Sequence, residues 1–157
     1  MTRGGEGGQP LLDGCNRAII AQLQEDGRRS YAAMAGSVGL SEAAVRQRVQ
    51  RLLDAGVMQV VAVTDPLQLG FSRQAMIGIN ADGDLREVAD KLAALDAVDY
   101  VVITAGSFDL LVEVVCNDDE HLLGLLNDDI RSIRGVRDTE TFVYLRLAKQ
   151  TYTWGAP

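Results

Sequence analysis

The chain has 157 residues, of which 47 % are apolar, and a formal net charge of −7 at pH 7. This length is enough for one ordinary domain or two small ones, and a negative charge spread evenly over the chain would exclude nucleic-acid binding, because phosphates attract local cations. The charge is not even, since residues 1–62 carry seven arginines and six acids, whereas residues 63–157 carry eight basic and sixteen acidic residues.

The first residues predict an arm followed by a helix. Residues 1–10 are rich in glycine and have no hydrophobic periodicity, which indicates a disordered arm. Apolar residues then recur at helical spacing from Leu12 to Leu23, until Asp26 and Gly27 end the pattern. The pattern predicts a first helix between these points.

Two further helices complete an expected helix-turn-helix. Ser30 is placed to cap a short helix over residues 31–37, and Gly39 supplies a tight turn where a positive φ is needed. Ser41 is placed to cap a third helix, which Gly56 ends. This arrangement is typical of proteins that insert a recognition helix into the major groove of DNA.

The third helix carries the residue types that DNA contacts require. Val45, Val49 and Leu52 form its inward stripe, and the stretch 46–51 carries three arginines and no acid. We expect base contacts from Arg46, Gln47 and Gln50 and phosphate contacts from Arg51 and Arg28. The candidate DNA-binding residues are Arg28, Ser41, Arg46, Gln47, Gln50 and Arg51. The alternative is a plain three-helix bundle whose charged surface is only solvated.

A net charge of +1 in this half gives a weak field, so useful affinity requires two or more such domains acting together.

Residues 60–64 are β-prone and end at Asp65-Pro66, which predicts a tether strand and linker over residues 60–70. The predicted DNA-binding domain therefore covers residues 11–59, and a second domain covers residues 71–150. Residues 151–157 form an aromatic tail with Tyr152 and Trp154.

The second domain predicts the order β-α-β-β-α-β, which is that of a ferredoxin-like sandwich and makes the chain an α+β protein. The expected elements are a strand (74–80), a helix (84–95), two strands (100–105 and 109–116), a helix (118–132) capped by Asn117, and a strand (139–147). Apolar residues occupy both faces of these strands, although two helices can cover only one. A homodimer is the simplest cover, and the alternative is that the N-terminal domain folds back over this face.

Several short motifs follow one another along the chain in a specific order and spacing, namely Asp26-Gly27-Arg28, Val38-Gly39-Leu40-Ser41, Gly56-Val57, Gly106-Ser107-Phe108-Asp109, Gly135-Val136 and Thr139-Glu140-Thr141. On these motifs the chain resembles the Lrp/AsnC family of transcription factors from about Leu12 to Gln150. The resemblance implies a winged-type helix-turn-helix, a βαββαβ ligand-binding domain, dimers through the sheets, and often four dimers in a disc. The stretch Met58-Gln59-Val60 departs from the family pattern and leaves the wing contact open.

The resemblance also implies an effector, usually an amino acid, bound between dimers near residues 106–109. The candidate effector-binding residues are Tyr100, Thr104, Gly106, Ser107 and Asp109. Backbone amides at a hairpin turn suit an α-carboxylate, and Asp109 can accept an α-ammonium group. Gly and Asp are also ordinary hairpin-turn residues, which is the alternative reading of this loop.

The remaining patterns do not indicate an enzyme. The chain has no Gly-rich phosphate loop, nucleophile elbow or cluster of metal ligands, so we expect no cofactor. Cys15, Cys116 and His121 show no spacing typical of a disulfide framework or a zinc site. No stretch approaches the ~20 apolar residues of a membrane helix, which favours a cytoplasmic protein without a membrane partner. An amino-acid-binding regulatory subunit of a metabolic enzyme and an effector-independent architectural DNA-binding protein remain as alternatives.

Overall fold

The computed structural model describes residues 11–151, so the predicted arm over residues 1–10 and the aromatic residues Tyr152 and Trp154 lie outside the described residues. The described residues divide into two compact units, of which the first comprises residues 11–62 together with residues 149–151 and the second comprises Val63–Ala148. Each unit has a hydrophobic core of its own.

The first unit consists of three helices, α1 (Gly14–Glu25), α2 (Tyr31–Val38) and α3 (Glu42–Asp54). All three helices predicted from the hydrophobic periodicity are present. Their shared core consists of buried apolar side chains, namely Ile19, Met34, Ala35, Val45 and Val49. The core leaves one side of each helix in solvent, as amphipathic helices require.

The segment after α3 differs from the sequence-based expectation. No strand lies between Asp54 and Arg73 in the single chain, so the tether strand predicted over residues 60–64 is not formed within one subunit, and this stretch forms no wing hairpin there. The valines of this segment have high β propensity, but a strand needs a hydrogen-bonding neighbour, and the described residues offer none. Val61 is consequently 68 % exposed.

The second unit has the predicted order β-α-β-β-α-β. Its elements are β1 (Arg73–Ala81), α4 (Leu85–Ala93), β2 (Val98–Ile103), β3 (Leu110–Cys116), α5 (Asp119–Gly124) and β4 (Val136–Val143). The four strands form one antiparallel sheet in the order β2-β3-β1-β4. This order places β1 and β3 in the centre, where they are the most deeply buried strands.

One face of this sheet forms the core with the two helices. Ala75, Ile77 and Ile79 of β1 alternate along the strand and are fully buried, as are the facing residues Leu110 and Val112 of β3. The helices cover them with apolar side chains, including Val88, Leu92, Leu122 and Ile130. No helix of this unit covers the opposite face, which carries Met76, Leu111 and Phe142 and is called the open face.

The second helix of this unit is shorter than predicted. It is α-helical from Asp119 to Gly124 and continues as a π-helical turn, Leu125–Ile130. A π turn places residues five apart on the same side, and its two end residues are both buried in the core. The core contact therefore accounts for the change of helix type.

The prediction that Asn117 caps this helix is wrong. The cap is Asp118, whose side chain accepts a hydrogen bond from the backbone N–H of His121. The backbone N–H of Asn117 instead donates to Nδ1 of His121 at 3.1 Å. Both residue types can cap a helix, so composition alone does not choose between neighbours.

The last strand begins three residues earlier than predicted and ends earlier. The expected strand covers residues 139–147, whereas β4 pairs along β1 from Val136, opposite Ala81, to Val143, opposite Ala75. Tyr144 makes a last backbone hydrogen bond to Gln74. Because the two strands are antiparallel, this bond lies one residue from Arg73, where β1 begins. The apolar residues that follow Tyr144 therefore have no strand to pair with.

Candidate DNA-binding helix and effector loop

Two serines begin α2 and α3, and a glycine forms the turn between these helices. Ser30 caps α2 by accepting from Ala33 N, and Ser41 caps α3 by accepting from Ala44 N, both at 3.2 Å. Between them Gly39 has φ +67°, a backbone conformation that favours glycine. The prediction of two capped helices joined by a glycine turn is confirmed.

The outer surface of α3 contains four of the predicted DNA-binding residues. Arg46, Gln47, Gln50 and Arg51 are all exposed, whereas Val45, Val49 and Leu52 on the other side are buried. Within the described residues, the side chains of Gln47 and Arg51 make no hydrogen bond. Their donors and acceptors are therefore available to another molecule.

Two of these side chains contact neighbours, which lie on α3 itself and, for Arg46, also on α2. Arg46 pairs with Glu42 at 3.1 Å, and its guanidinium lies 4.9 Å from the centre of the Tyr31 ring. Gln50 Nε2 donates to Asp54 at 2.7 Å. Exposed pairs at this spacing are weak and exchange with solvent, so they orient these side chains without removing them from contact with a ligand.

The other two predicted residues flank the helices. Arg28 is exposed in the turn before α2, and its backbone N–H donates to Asp26 at 2.9 Å. Ser41 is exposed at the first turn of α3. Its hydroxyl oxygen accepts the capping hydrogen bond, and the hydroxyl hydrogen remains able to donate, for example to a phosphate oxygen.

Arg48 does not lie on the outer surface, which therefore carries two arginines over residues 46–51 instead of the three expected. Its Nη1 donates to Asp13 at 2.7 Å and to the side-chain oxygen of Asn16 at 2.9 Å, joining α3 to α1. Asn16 is 5 % exposed, and the arginine lowers the pKa of Asp13. The only signal in the sequence is that Arg48 follows Val45 by three residues and so lies near the inward stripe.

Four of the predicted effector residues lie in one loop between β2 and β3, residues 104–109, which we call the effector loop. The base of this loop is fixed, since Thr104 N donates to Asp109 O and Asp109 N donates to Ile79 O, both at 2.9 Å. Gly106 and Ser107 are exposed at its tip. Within the described residues the amides of this tip make no hydrogen bond, so they can receive an anionic group.

The Asp109 carboxylate has a structural contact in addition to the role predicted for it. Its Oδ2 accepts from the backbone N–H of Ala81 at 2.9 Å, which attaches the loop to the end of β1. Its second oxygen is left for an ammonium group. Tyr100 lies apart from the loop, on β2, where it is 51 % exposed on the open face and pairs across the strands with Glu113.

A cavity of about 710 Å³ opens where β1 ends and β4 begins. None of the predicted effector residues lines it. Its charged residues have both signs, with Asp82 and Glu87 beside Lys91 and Arg134. Sequence patterns do not mark it, because one side comes from residues 82–91 and the other from residues 134–137, which are far apart in the sequence.

The open face combines apolar and polar side chains. Its apolar members are Met76, Tyr100, Val102, Leu111 and Phe142. Gln74 Nε2 donates to Glu113 at 2.8 Å, and burial together with Glu113 raises the pKa of Tyr144 to about 12. A half-buried apolar face of this kind is typical of a surface that another subunit covers.

Comparisons with known proteins agree for both units. Residues 12–53 match the AsnC-type helix-turn-helix domain, and residues 71–157 match a C-terminal dimeric α+β barrel domain of the AsnC type. An uncharacterised HTH-type transcriptional regulator of Pyrococcus furiosus is 35 % identical over 90 % of this chain and 97 % of its own length.

Solved structures are similar over nearly the whole chain. The leucine response regulatory protein of Mycobacterium tuberculosis has a TM-score of 0.81 at 27 % identity, covering 88 % of this chain and 96 % of that one. A transcriptional regulator of Neisseria meningitidis in complex with L-Met has a TM-score of 0.77 at 26 % identity, covering 89 % and 94 %. No helix within residues 11–151 is long and apolar enough to cross a membrane.

Three findings lead to one conclusion. The first unit is a helix-turn-helix with an exposed α3, the second is a βαββαβ unit of a dimeric type, and the matches cover about nine tenths of the chain. The relatives are transcriptional regulators and not enzymes. The chain belongs to the Lrp/AsnC family of DNA-binding transcriptional regulators.

Proposed function

We propose that α3 binds a specific DNA sequence in the major groove and that an amino acid bound at the effector loop changes this binding or the assembly of subunits. The regulator acts in the cytoplasm as a homodimer joined through the open faces, and four such dimers can form an octamer. The observation that carries this proposal is the outer surface of α3, where Gln47 and Arg51 are exposed beside a buried stripe.

The proposed contacts follow from the chemistry of these side chains. A glutamine can pair with adenine N6 and N7, and an arginine can bind guanine O6 and N7 or a phosphate. Gln47, Gln50 and Arg46 are proposed to contact bases, whereas Arg51, Arg28 and Ser41 contact the backbone of the duplex. Two copies of α3 in one dimer compensate for the weak positive charge of each copy.

The proposed effector is a zwitterion. Amides at the tip of the effector loop suit its carboxylate, and the second oxygen of Asp109 suits its ammonium group. The similar Neisseria meningitidis regulator was crystallised in complex with L-Met, which supports an amino acid as the class of ligand. Thr104, Ser107 and Tyr100 are proposed to select the side chain.

DNA binding is tested by selecting sequences from a random duplex pool with the purified chain. Replacing Arg46 and Arg51 by Ala is expected to weaken binding to the selected DNA by about 1–3 kcal/mol for each base that is no longer recognised, and to reduce the salt dependence of binding. Arg134→Ala is the matched control, because Arg134 is an exposed arginine of the second unit. Equal binding by all three proteins would contradict the role of α3.

Effector binding is tested by screening the common amino acids for an increase in melting temperature and then measuring DNA affinity with and without each hit. Gly106→Val adds a branched side chain at the loop tip, where the new Cβ would meet no atom within 4 Å. This variant is expected to bind DNA normally and to lose the response to the amino acid. A response that survives in Gly106→Val would remove the effector loop from the proposal.

A further inference from the structure

Gly78 in the middle of β1 allows an aromatic ring to lie directly on the open face. A Cβ built at Gly78 would be 2.7 Å from each of three ring carbons of Phe108, closer than real Cβ contacts. A glycine inside a strand weakens the strand and commonly marks the close approach of another group. Here the group that approaches is the Phe108 ring.

Phe108 itself belongs to the effector loop. The Thr104 hydroxyl donates to the carbonyl oxygen of Phe108, and the next residue, Asp109, is bonded to both Ile79 and Ala81 of β1. The Phe108 backbone is therefore fixed on one side and continues on the other into the exposed tip, residues 106–107. Ser107 of the tip is the chain neighbour of Phe108, so a displacement of the tip reaches Phe108 directly.

The ring of Phe108 extends from the loop to β4. It meets Phe142 edge to face, with ring centroids 6.1 Å apart and an interplanar angle of 75°. Phe142 is 44 % exposed on the open face, and Met76 of β1 lies opposite it in the sheet register. The ring thus lies on the open face, which the proposed function assigns to the subunit interface.

We propose that Phe108 is a positioning residue that couples the effector loop to the subunit interface. A ligand that moves the loop tip shifts the ring on the open face, and a second subunit that covers the ring in turn restrains the loop. Coupling of this kind is reciprocal in free energy. The inference rests on the proposed function for its ligand, whereas the mechanical link between Phe108 and the interface is testable without any amino acid.

The test compares four variants with the unmodified chain: Phe108→Ala, Gly78→Ala, both together, and Met76→Ala as the control. Met76 lies on the open face but outside the effector loop. Two quantities are measured without added ligand, namely the dissociation constant of the dimer by analytical ultracentrifugation and the hydrogen exchange of the Ala81 and Asp109 amides. Thermal melting identifies any variant that does not fold. If Gly78→Ala does not fold, the comparison of Phe108→Ala with Met76→Ala is sufficient for the test.

Phe108→Ala and Gly78→Ala are both expected to raise the dimer dissociation constant about tenfold and to speed exchange of the two amides. Met76→Ala is expected to weaken the dimer without changing that exchange. In the Phe108→Ala background, Gly78→Ala should add little, because the ring that it displaces is gone.

Two results would overturn the inference. One is faster loop exchange in Phe108→Ala with an unchanged dimer, which would make Phe108 a local packing residue. The other is a weaker dimer with unchanged loop exchange, which would make it an ordinary interface residue like Met76. The absence of an amino-acid response in the unmodified chain would count against the proposed effector and not against this coupling.

Discussion

Arg48 is an arginine of α3 that stabilises the helical unit and does not lie on the surface proposed to contact DNA. Its guanidinium contacts Asp13 and Asn16 and is turned away from the surface on which Arg46 and Arg51 lie. The side chains of Arg48 and Asp13 are 15 % and 20 % exposed, so water screens this pair less than the pairs on the outer surface of α3. Arg48 therefore helps to hold α1 against α3.

Arg48→Met is expected to destabilise the helical unit. The substitution keeps most of the apolar stem but leaves the side-chain oxygen of buried Asn16 without its donor, which costs about 1–3 kcal/mol. Chemical unfolding followed by circular dichroism measures the change. Arg51→Met is the control, since Arg51 is exposed and its replacement should leave the free energy of unfolding unchanged. Equal stability of the two variants would contradict the role of Arg48.

The same pair predicts a dependence on pH. The Arg48 hydrogen bond lowers the pKa of Asp13 in the folded chain below its ordinary value, so the contact contributes stability above the ordinary pKa and loses it as the pH falls through the lower, folded pKa. Asp13→Asn is therefore expected to lower the free energy of unfolding near neutral pH, and the difference from the unmodified chain should shrink as the pH falls through the folded pKa. A difference that stays constant with pH would show that the Asp13 charge is not involved.

At this scale the sequence predicted residue types better than residue partners. The exposed positions of Gln47 and Arg51 follow from helical periodicity around Val45 and Val49. The inward turn of Arg48 was not predictable, because its partner Asp13 lies 35 residues away. The contact of Phe108 with Gly78 was missed for the same reason, since nothing near either residue in the sequence indicates the other.

The turn between α2 and α3 depends on glycine at one position only. Gly39 has φ +67°, so Gly39→Ala is expected to cost about 1–2 kcal/mol of stability, although nothing would clash with the added methyl group. Gly36 lies inside α2, is exposed and has equally open surroundings, so Gly36→Ala is expected to gain up to about 1 kcal/mol. Thermal unfolding of both variants checks these opposite signs, and a decrease in both would contradict this account of the turn.

Elements with local signals were predicted well, and their ends were not. The caps at Ser30 and Ser41 need only the nearest residues. The limits of β4 depend instead on where β1 begins and ends, and the π turn after Gly124 depends on which leucines reach the core. Residues 60–64 have a strand sequence without a strand partner in the described part of the chain.

The two halves of the chain carry opposite net charges. The half with α3 has a net charge of +1, and the acidic half contains the sheet and the effector loop. A single copy of α3 therefore has little electrostatic attraction to DNA, and we propose that specific binding requires two copies joined by the C-terminal domain, which is of a dimeric type. The central claim is that both copies contact one DNA site.

A mixed dimer tests this claim most directly. One subunit is unmodified, and the other carries Ala in place of Arg46, Gln47 and Arg51, with different affinity tags allowing the mixed species to be isolated. Its affinity for DNA selected by the unmodified dimer is measured by fluorescence anisotropy at several salt concentrations. The account predicts binding at least about 100-fold weaker than that of the unmodified dimer, with about half its salt slope. Affinity and slope equal to those of the unmodified dimer would contradict it.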